Sequence, residues 1–202
     1  MADFTIAQKL VLKYEGGYSN DANDRGGETY CGIARNFFPN WRGWKYIDAA
    51  KDECGTSSST TLTKVLSNIE DLQDAVGEWY KKEWWDKLKL SSLSQQLANE
   101  IFEQCINLGK VGHGKLLQQL INAFNYNPST NDTLFDDLVV DGLIGPKTLS
   151  ALATIIDKRT NESTFAHALN CMQGNHYINL ASKNIGQRAF LRGWLTRTYD
   201  DK

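Results

Sequence analysis

Apolar residues recur at helical spacing at the amino terminus of the chain. The residues of this face are Ile6, Ala7, Leu10, Val11 and Tyr14. Intervals of three and four residues place side chains on one side of an α-helix, so the pattern predicts a helix from about Thr5 to about Glu15. Gly16-Gly17 follows directly, and glycine is common just after the end of a helix. Glu15 is therefore expected in the last turn of this helix.

The same helical spacing returns over residues 69–84, 97–108, 114–124, 165–180 and 190–195. Residues 97–108 are apolar over most of the helix circumference, which is typical of a helix buried at the centre of a protein, and Gly109 is expected to end it. Ahead of this helix, Ser92 and Gln95 have the three-residue spacing of a capping box. This break is the predicted boundary between two lobes, residues 1–92 and 93–202.

Glycines punctuate the segment after the first helix, at positions 16, 17, 26, 27 and 32. Such a segment can fold back tightly, so any strand in the protein is expected here, in a short flap between Tyr18 and Ile33. Together with the helical patterns, this predicts a mainly α fold with a small β-hairpin flap. The polar stretch 54–61 predicts a surface loop.

Four aromatic residues fall within eight positions after the flap: Phe37, Phe38, Trp41 and Trp44. Aromatic rings in such a cluster can stack against sugar rings or fill the core of a lobe, and the sequence leaves both open.

A turn is predicted near residue 141. Asp141-Gly142 is a turn signal, Gly145 allows an unusual backbone angle, and Pro146 suits the first position of a helix. The favoured interpretation is mechanical: a turn that caps the helix that follows.

The amino-acid composition of the chain limits the classes of molecule that it can bind. The chain has 202 residues, 41% hydrophobic and 23% charged, with a formal charge of -2, so it has no global attraction to nucleic acid or to anionic membranes. No apolar run reaches the roughly 20 residues of a membrane span.

Four scattered cysteines indicate free thiols, and the three histidines lack the spacing of a metal site. We expect no cofactor and no metal, and the oligomeric state stays open.

By position alone, Glu15 is an ordinary solvated glutamate at a helix end or a residue with a chemical role, and its neighbours favour the second interpretation. The negative end of the helix dipole and neighbouring tyrosines are both expected to raise the pKa of its carboxyl group. A carboxylic acid that stays protonated near neutral pH can act as a general acid. The glycine-rich hairpin can bring Asp24 opposite Glu15, and two carboxylates in different environments across a cleft are the usual arrangement for glycoside hydrolysis.

The sequence resembles glycoside hydrolase family 108, the phage and bacterial N-acetylmuramidases also called secretion activator proteins. The opening motif is Glu15-Gly16-Gly17-Tyr18, then Asn20-Asp21, Asp24, Gly26-Gly27, Thr29 and Gly32-Ile33. Later parts of the resemblance are Trp79-Tyr80, Trp84-Trp85, Asn107, Gly109, residues 140–145, Thr148, Phe190, Gly193-Trp194 and Arg197. The chain departs from the family pattern at Arg25, where proline is common, and at Tyr30-Cys31, where asparagine often follows the threonine.

The resemblance implies a two-lobed, lysozyme-like helical fold and peptidoglycan glycan strands as the substrate. It also implies Glu15 as the catalytic acid, with Asp24 and Thr29 in supporting roles. The spacing from Asp24 to Thr29 is one residue shorter than in phage lysozymes with the same order of residues. The Asp141 to Thr148 pattern resembles peptidoglycan-binding segments. The expected substrate contacts are Tyr18, Tyr30, Asn107, Asp141 and Thr148.

Three functions remain open from the sequence: a hydrolytic N-acetylmuramidase, a lytic transglycosylase, and a non-catalytic wall-binding or secretion-related protein. The hydrolase is favoured because a pure binder needs no acid at a helix end. The amino terminus resembles no secretory peptide. We therefore expect synthesis in the cytoplasm and action at the cell wall after release or non-classical export.

Overall fold

The computed structural model describes residues 1–12, 16–21, 25–55 and 58–198. The fold is mainly α with one small antiparallel sheet, which confirms the predicted class. The chain divides into two compact units, Phe4–Lys87 and Met1–Asp3 with Leu88–Lys202. The assignment of a catalytic lobe to residues 1–92 and a wall-binding lobe to 93–202 stays a prediction about function.

The first unit combines helices with the flap. Its elements are α1 (Phe4–Leu12), β1 (Tyr18–Ser19), β2 (Thr29–Tyr30), β3 (Ile33–Ala34), α2 (Trp44–Cys54), α3 (Ser59–Leu66), α4 (Glu70–Tyr80) and a π-helical turn (Lys81–Trp85). The predicted helix over residues 69–84 is therefore α4 extended by the π-turn.

The flap is a three-stranded antiparallel sheet in the order β1-β2-β3. Tyr30 pairs with Tyr18 on one side and with Ile33 on the other. Cys31 and Gly32 connect β2 to β3 with φ angles of 46° and 73°. Two successive positive φ values are typical of a type I′ turn, whose twist matches that of the strands it joins.

Helix α3 was not predicted, because its first turn is polar. Ser58 accepts a hydrogen bond from Thr61 N, which is the usual role of a serine just before a helix. The serines and threonines expected to form a loop thus belong partly to a helix start. The core of the first unit is apolar, and its most deeply buried members include Ile33, Ile47, Leu66, Leu72, Val76 and Trp85.

The second unit is helical. Its elements are a 3-10 turn (Leu90–Ser92), α5 (Gln95–Phe124), α6 (Pro146–Lys158), α7 (Glu162–Lys183), a second 3-10 turn (Ile185–Phe190) and α8 (Leu191–Thr196). Within α5, Gly109 has φ 73° and ψ 157°, so the predicted helix break at this residue is present as a kink.

The residue that caps α5 differs from the prediction. Ser94, not Ser92, accepts the hydrogen bond from Leu97 N, because Ser92 lies in the preceding 3-10 turn. Gln95 does not reach back to a cap. Its amide instead donates to Asn99 Oδ1 at 2.7 Å, and its carbonyl accepts from Asp3 N at 2.7 Å.

Helices α5 and α7 form the centre of the second unit, and Phe124 packs against Phe165 with ring centroids 5.8 Å apart. The fully buried apolar residues of these two helices include Leu97, Ile101, Phe102, Cys105, Leu117, Ile121, Phe165 and Leu169. In the described part of the chain, no helix is both long and apolar enough to cross a bilayer.

Candidate functional site

The two carboxylates expected to perform the chemistry, Glu15 and Asp24, lie outside the described residues. The structure describes the segments that flank them, residues 16–21 and 25–55. The framework of the site is formed by the side chains that fix these segments.

Gly17 lies directly against Thr63 of α3. A Cβ atom at Gly17 would lie 2.2 Å from Thr63 Cγ2, so this position has no room for a side chain. The backbone N of Tyr18 donates to Thr63 Oγ1 at 2.9 Å. Glycine at position 17 therefore lets the chain, two residues after Glu15, pack on α3 and hydrogen-bond to it.

Glu28 holds the base of the flap. It is 9% exposed, and its Oε1 accepts hydrogen bonds of 2.7 Å from both Tyr18 Oη and Lys51 Nζ. Its Oε2 lies 2.8 Å from Arg35 Nε, and Arg35 also bonds Asp48 through two nitrogens. Burial and then the contact with Glu28 raise the pKa of Tyr18 to about 12. Both carboxylate oxygens of Glu28 therefore bond to other groups of the protein.

Thr29 and Tyr30 are neighbours in β2 with different surroundings. Thr29 is half-buried, and its hydroxyl donates to Gly27 O at 3.1 Å. Tyr30 is 2% exposed, and its hydroxyl accepts from Gln73 Nε2 at 3.0 Å. Burial is the main cause that raises the pKa of Tyr30 to about 12. In the described structure Tyr30 packs in the core of the first unit.

The tip of the flap is also fixed. Tyr80 at the end of α4 donates its hydroxyl proton to Cys31 O at 2.8 Å. With Lys51 on α2 and Thr63 on α3, three helices hold the flap through side-chain hydrogen bonds. A flap fixed in this way can present its residues to a ligand without a large ordering cost.

In the second unit, Asn107 connects α5 to the end of the chain. Its Nδ2 donates to Glu103, both to the carboxylate and to the backbone oxygen, and its Oδ1 accepts from Arg197 Nη1. Both groups of the half-buried Asn107 amide are therefore used within the protein. This arrangement supports packing of α8 near α5.

Buried polar side chains continue from Glu103 between α5 and α7. Gln173 donates to Glu103 Oε2 at 3.1 Å and to Tyr177 Oη at 3.0 Å. Burial first, and then the charge of Glu103, raise the pKa of Tyr177 to about 12. Glu100 accepts from Asn170 at 2.9 Å. These bonds compensate for the burial of two carboxylates in one helix.

His113 ends this polar cluster. It is fully buried, and its Nδ1 lies 3.1 Å from Gln104 Oε1. Since the amide oxygen only accepts, Nδ1 carries the proton of a neutral imidazole. Gln104 in turn donates to Glu100 Oε1 at 2.7 Å. Burial lowers the pKa of His113 to about 3.

Asp141 and Gly142 are held by Gln118, a buried residue of α5. Gln118 Nε2 donates to Asp141 Oδ1 at 2.8 Å, and Gly142 N donates to Gln118 Oε1 at 2.7 Å. The hydrogen bond from Gln118, followed by one from Leu143 N, holds the pKa of Asp141 below its usual value. A single amide therefore fixes both residues of the turn.

Thr148 lies on the inner side of the same turn. It is 3% exposed, and its hydroxyl donates to Leu143 O at 3.2 Å. Pro146 occupies the start of α6, as predicted. The unusual backbone angle belongs to Gly142, with φ 84°, and not to Gly145, which is extended. The mechanical interpretation of this segment as a turn that begins a helix is confirmed.

The structure therefore groups the expected residues into three sets. Tyr18, Thr29 and Tyr30 lie together on paired strands of the flap. In the second unit, Asp141 and Thr148 both contact the side-chain amide of Gln118. Asn107 instead belongs to the polar cluster at Glu103. Their predicted contacts with substrate stay predictions.

Sequence reasoning missed the three residues that position these sets: Glu28, Thr63 and Gln118. Gln118 had a detectable signal, because Gly114, Gln118 and Ile121 share one face of α5, where a small residue and an amide interrupt an apolar pattern. Glu28 and Thr63 act through partners distant in sequence, for which spacing offers no guide. Among the described residues, no cluster of histidine, cysteine, aspartate and glutamate could hold a metal ion.

Comparison with known proteins identifies the chain as a glycoside hydrolase. The family described as Glycosyl hydrolase 108 matches residues 8–109, which is half of the chain and includes Glu15, Asp24 and the whole flap. The description Predicted Peptidoglycan domain matches residues 114–199. The chain belongs to the glycosyl hydrolase 108 family, and it is a hydrolase that acts on peptidoglycan.

One solved structure similar to this chain is that of Brucella abortus SagA. Its sequence is 21% identical, the alignment covers 96% of this chain and 92% of that chain, and the TM-score is 0.45. No curated protein matches the chain significantly.

Proposed function

We propose that the protein is an N-acetylmuramidase that hydrolyses the β-1,4 bond between N-acetylmuramic acid and N-acetylglucosamine. The observation that carries the proposal is the motif Glu15-Gly16-Gly17-Tyr18 within the Glycosyl hydrolase 108 match. The second half of this motif is tightly fixed, since Gly17 packs on Thr63 and Tyr18 bonds Glu28. A fixed backbone directly after an acid favours a constant position for that acid.

Glu15 is proposed as the general acid. It donates its proton to the bridging oxygen while the glycosidic C–O bond breaks, and a water supplies the hydroxyl group at C1 of muramic acid. Glu28, the nearby described glutamate, is a poor alternative. It is 9% exposed, and both of its oxygens already contact protein groups, two of them cations that favour its ionised form.

Asp24 and Thr29 are proposed to assist. Asp24 would orient the water or offset the positive charge that develops on the sugar ring. The hydroxyl of Thr29 donates to Gly27 O, but its oxygen keeps lone pairs that can accept from a water. This agrees with a water-placing role for Thr29.

The second unit is proposed to hold the enzyme on the cell wall. Residues 114–199 match the Predicted Peptidoglycan domain, and they include the turn around Gln118 with Asp141 and Thr148. Asn107 lies just outside this range, at the end of the catalytic match. In this proposal, cleavage belongs to the first 92 residues and attachment to the remainder.

Product analysis on purified peptidoglycan tests the proposal. A hydrolase leaves reducing muramic acid ends, whereas a lytic transglycosylase leaves anhydro-muramic acid ends. Glu15→Gln should lower the rate by roughly a hundred- to ten-thousandfold, because the amide has no acidic proton to donate. Glu53→Gln is the control for the same change of side chain, since Glu53 is an exposed glutamate near the end of α2.

Each outcome has a distinct meaning. Reducing N-acetylglucosamine ends would show that the proposed bond is wrong. Wild-type activity in Glu15→Gln would show that the proposed acid is wrong. Anhydro ends would support the transglycosylase alternative and contradict the proposed role of Asp24 and Thr29.

A further inference from the structure

An aromatic groove lies on the first unit, where residues 37–42 meet α4 and the π-turn. Its volume is about 470 Å³, within the range of roughly 300–1,000 Å³ that is usual for ligand sites. The aromatic residues that line it are Phe37, Phe38, Trp41 and Trp79. We call this feature the aromatic groove.

Two rings of the aromatic groove are open to solvent. Phe37 is 65% exposed and Phe38 is 36% exposed. In the described part of the first unit, the other large apolar side chain with comparable exposure is Ile6 on α1. Neighbouring exposed aromatic residues on a soluble protein indicate an interaction site, because they lose hydrophobic stabilisation when left in water.

The rings around Phe37 are held in place. Phe38 meets Trp79 edge to face with ring centroids 5.0 Å apart, and Trp41 Nε1 donates to Ala75 O at 3.2 Å. Gly43 makes this possible, because a Cβ atom there would lie 2.2 Å from the Trp41 ring. A ligand can therefore bind these rings without the cost of ordering them.

The residues that line the aromatic groove include equal numbers of positive and negative charges. They are two cations, Arg42 and Lys82, and two carboxylates, Glu78 and Glu83. Arg42 pairs with Glu78 at 2.9 Å. A balanced set of charges has no strong preference for an anionic or a cationic partner, and it suits the many uncharged hydroxyl and acetamido groups of a saccharide.

We propose that the aromatic groove binds the saccharide backbone of the glycan strand. The C–H face of a pyranose ring is apolar and slightly positive, which complements the negative face of an aromatic ring such as Phe37. The charged and amide groups at the edge, including Asn40, can bind sugar hydroxyl and acetamido groups. The identity of the strand as peptidoglycan rests on the proposed function.

The test uses tryptophan indole N–H signals as local probes. Glu15→Gln protein is titrated with peptide-free glycan strands, and the NMR shifts of Trp41 and Trp79 are followed. Both signals should move with one dissociation constant. Phe37→Leu should raise that constant roughly three- to tenfold, because leucine is apolar but has no ring face. Phe37→Trp is the matched control, and it should keep the wild-type constant or lower it.

Three results would overturn the proposal: no shift at Trp41 and Trp79, equal affinity of Phe37→Leu and wild type, or a requirement for the stem peptides. The fully buried Trp85, which does not line the aromatic groove, reports on folding of each variant. Failure of the muramidase proposal would be seen separately in the product analysis, because binding of a glycan strand to the aromatic groove requires no cleavage.

Discussion

Gly114 on α5 and Gly142 in the turn before α6 meet backbone to backbone. A Cβ atom at Gly114 would lie 2.1 Å from Gly142 O, and one at Gly142 would lie 2.6 Å from Val111 O. Gly142 also has φ 84°, where side chains are strained. This close approach lets Gln118, one helical turn after Gly114, reach the turn with its amide. The two glycines and Gln118 thus together fix residues 141–148 on α5.

Gly114→Ala should destabilise the protein by about 1–3 kcal/mol, because the new methyl group overlaps a backbone oxygen that cannot move alone. Gly112→Ala, two residues earlier in the helix, is the control. Its Cβ atom would lie 3.4 Å from Leu108 Cβ, an ordinary contact, so it should be neutral or stabilise by up to about 1 kcal/mol. Urea unfolding of both variants measures the difference. Equal stability would contradict the packing described for the turn.

Gly17→Ala should reduce peptidoglycan hydrolysis strongly, because the Cβ atom overlaps the Thr63 side chain and displaces the backbone next to Glu15. A misplacement near 1 Å in an active site can lower the rate by roughly a hundredfold. Adding Thr63→Ala should restore part of the activity by making room, although the bond to Tyr18 N is lost. Turbidity assays on cell walls measure the rates.

Gly16→Ala is the control for that pair. Among the described residues, nothing lies within 4 Å of a Cβ atom at Gly16. Its activity should remain within a few-fold of wild type. If Gly16→Ala is as inactive as Gly17→Ala, the effect comes from local chain stiffness and not from the contact with Thr63.

Glu28→Gln should cost about 1–3 kcal/mol, because the buried carboxylate pairs with Arg35 and Lys51, and a neutral amide leaves those cations poorly compensated. Asp48→Asn, which weakens a pair with the same Arg35, is the control. The side chain of Asp48 is 47% exposed, so its loss should stay within about 1 kcal/mol. Thermal unfolding monitored by circular dichroism compares the two variants.

Local signals explain how much of the fold was predictable. The apolar spacing of α5 and α7, the kink at Gly109 and the flap between Tyr18 and Ile33 all depend on neighbours in sequence. These features were therefore visible in the sequence. The residue that caps α5 is Ser94 and not the predicted Ser92, because Ser92 lies in the preceding 3-10 turn, and Gln95 bonds Asp3, a residue far away in the chain.

For the candidate site, the sequence predicts the residues that perform the chemistry, and these stay a prediction, whereas the residues that support the site were not predicted. The pattern from Glu15 to Thr29 indicated the chemistry because glycosidases need paired carboxylates. Glu28 and Gln118 were not predicted. Their supporting roles follow from their burial, and burial depends on tertiary contacts that the sequence does not show. The burial of Tyr30 has the same origin: alternation along a strand identifies a face but not which face meets the core.

The cysteines give a prediction about reducing agents. In the described structure Cys31, Cys54, Cys105 and Cys171 form no disulfide bond. Activity and thermal stability should therefore be unchanged by dithiothreitol. With iodoacetamide, mass spectrometry should find the exposed Cys171 modified first and Cys105 last, since burial shields Cys105 and raises the pKa of its thiol. Loss of activity on mild reduction would contradict the absence of disulfide bonds among these cysteines.

His113 predicts how stability depends on pH. Burial lowers its pKa in the folded protein to about 3, whereas a histidine in the unfolded chain titrates near 6.5. Between these values the unfolded state binds a proton that the folded state does not. Stability is therefore full above about pH 6.5, and it falls as the pH decreases towards 3.

His113→Gln should remove this contribution while keeping an amide that can donate to Gln104 Oε1. The slope of unfolding free energy against pH should decrease by up to about 1.4 kcal/mol per pH unit between pH 3 and 6.5, the value for one proton. His167→Gln, at an exposed position of α7, controls for the loss of one histidine. Urea unfolding from pH 4 to pH 7.5 gives both slopes. If His113→Gln keeps the wild-type slope, then His113 accepts a proton in the folded protein, and its imidazole is not isolated from solvent as the structure indicates.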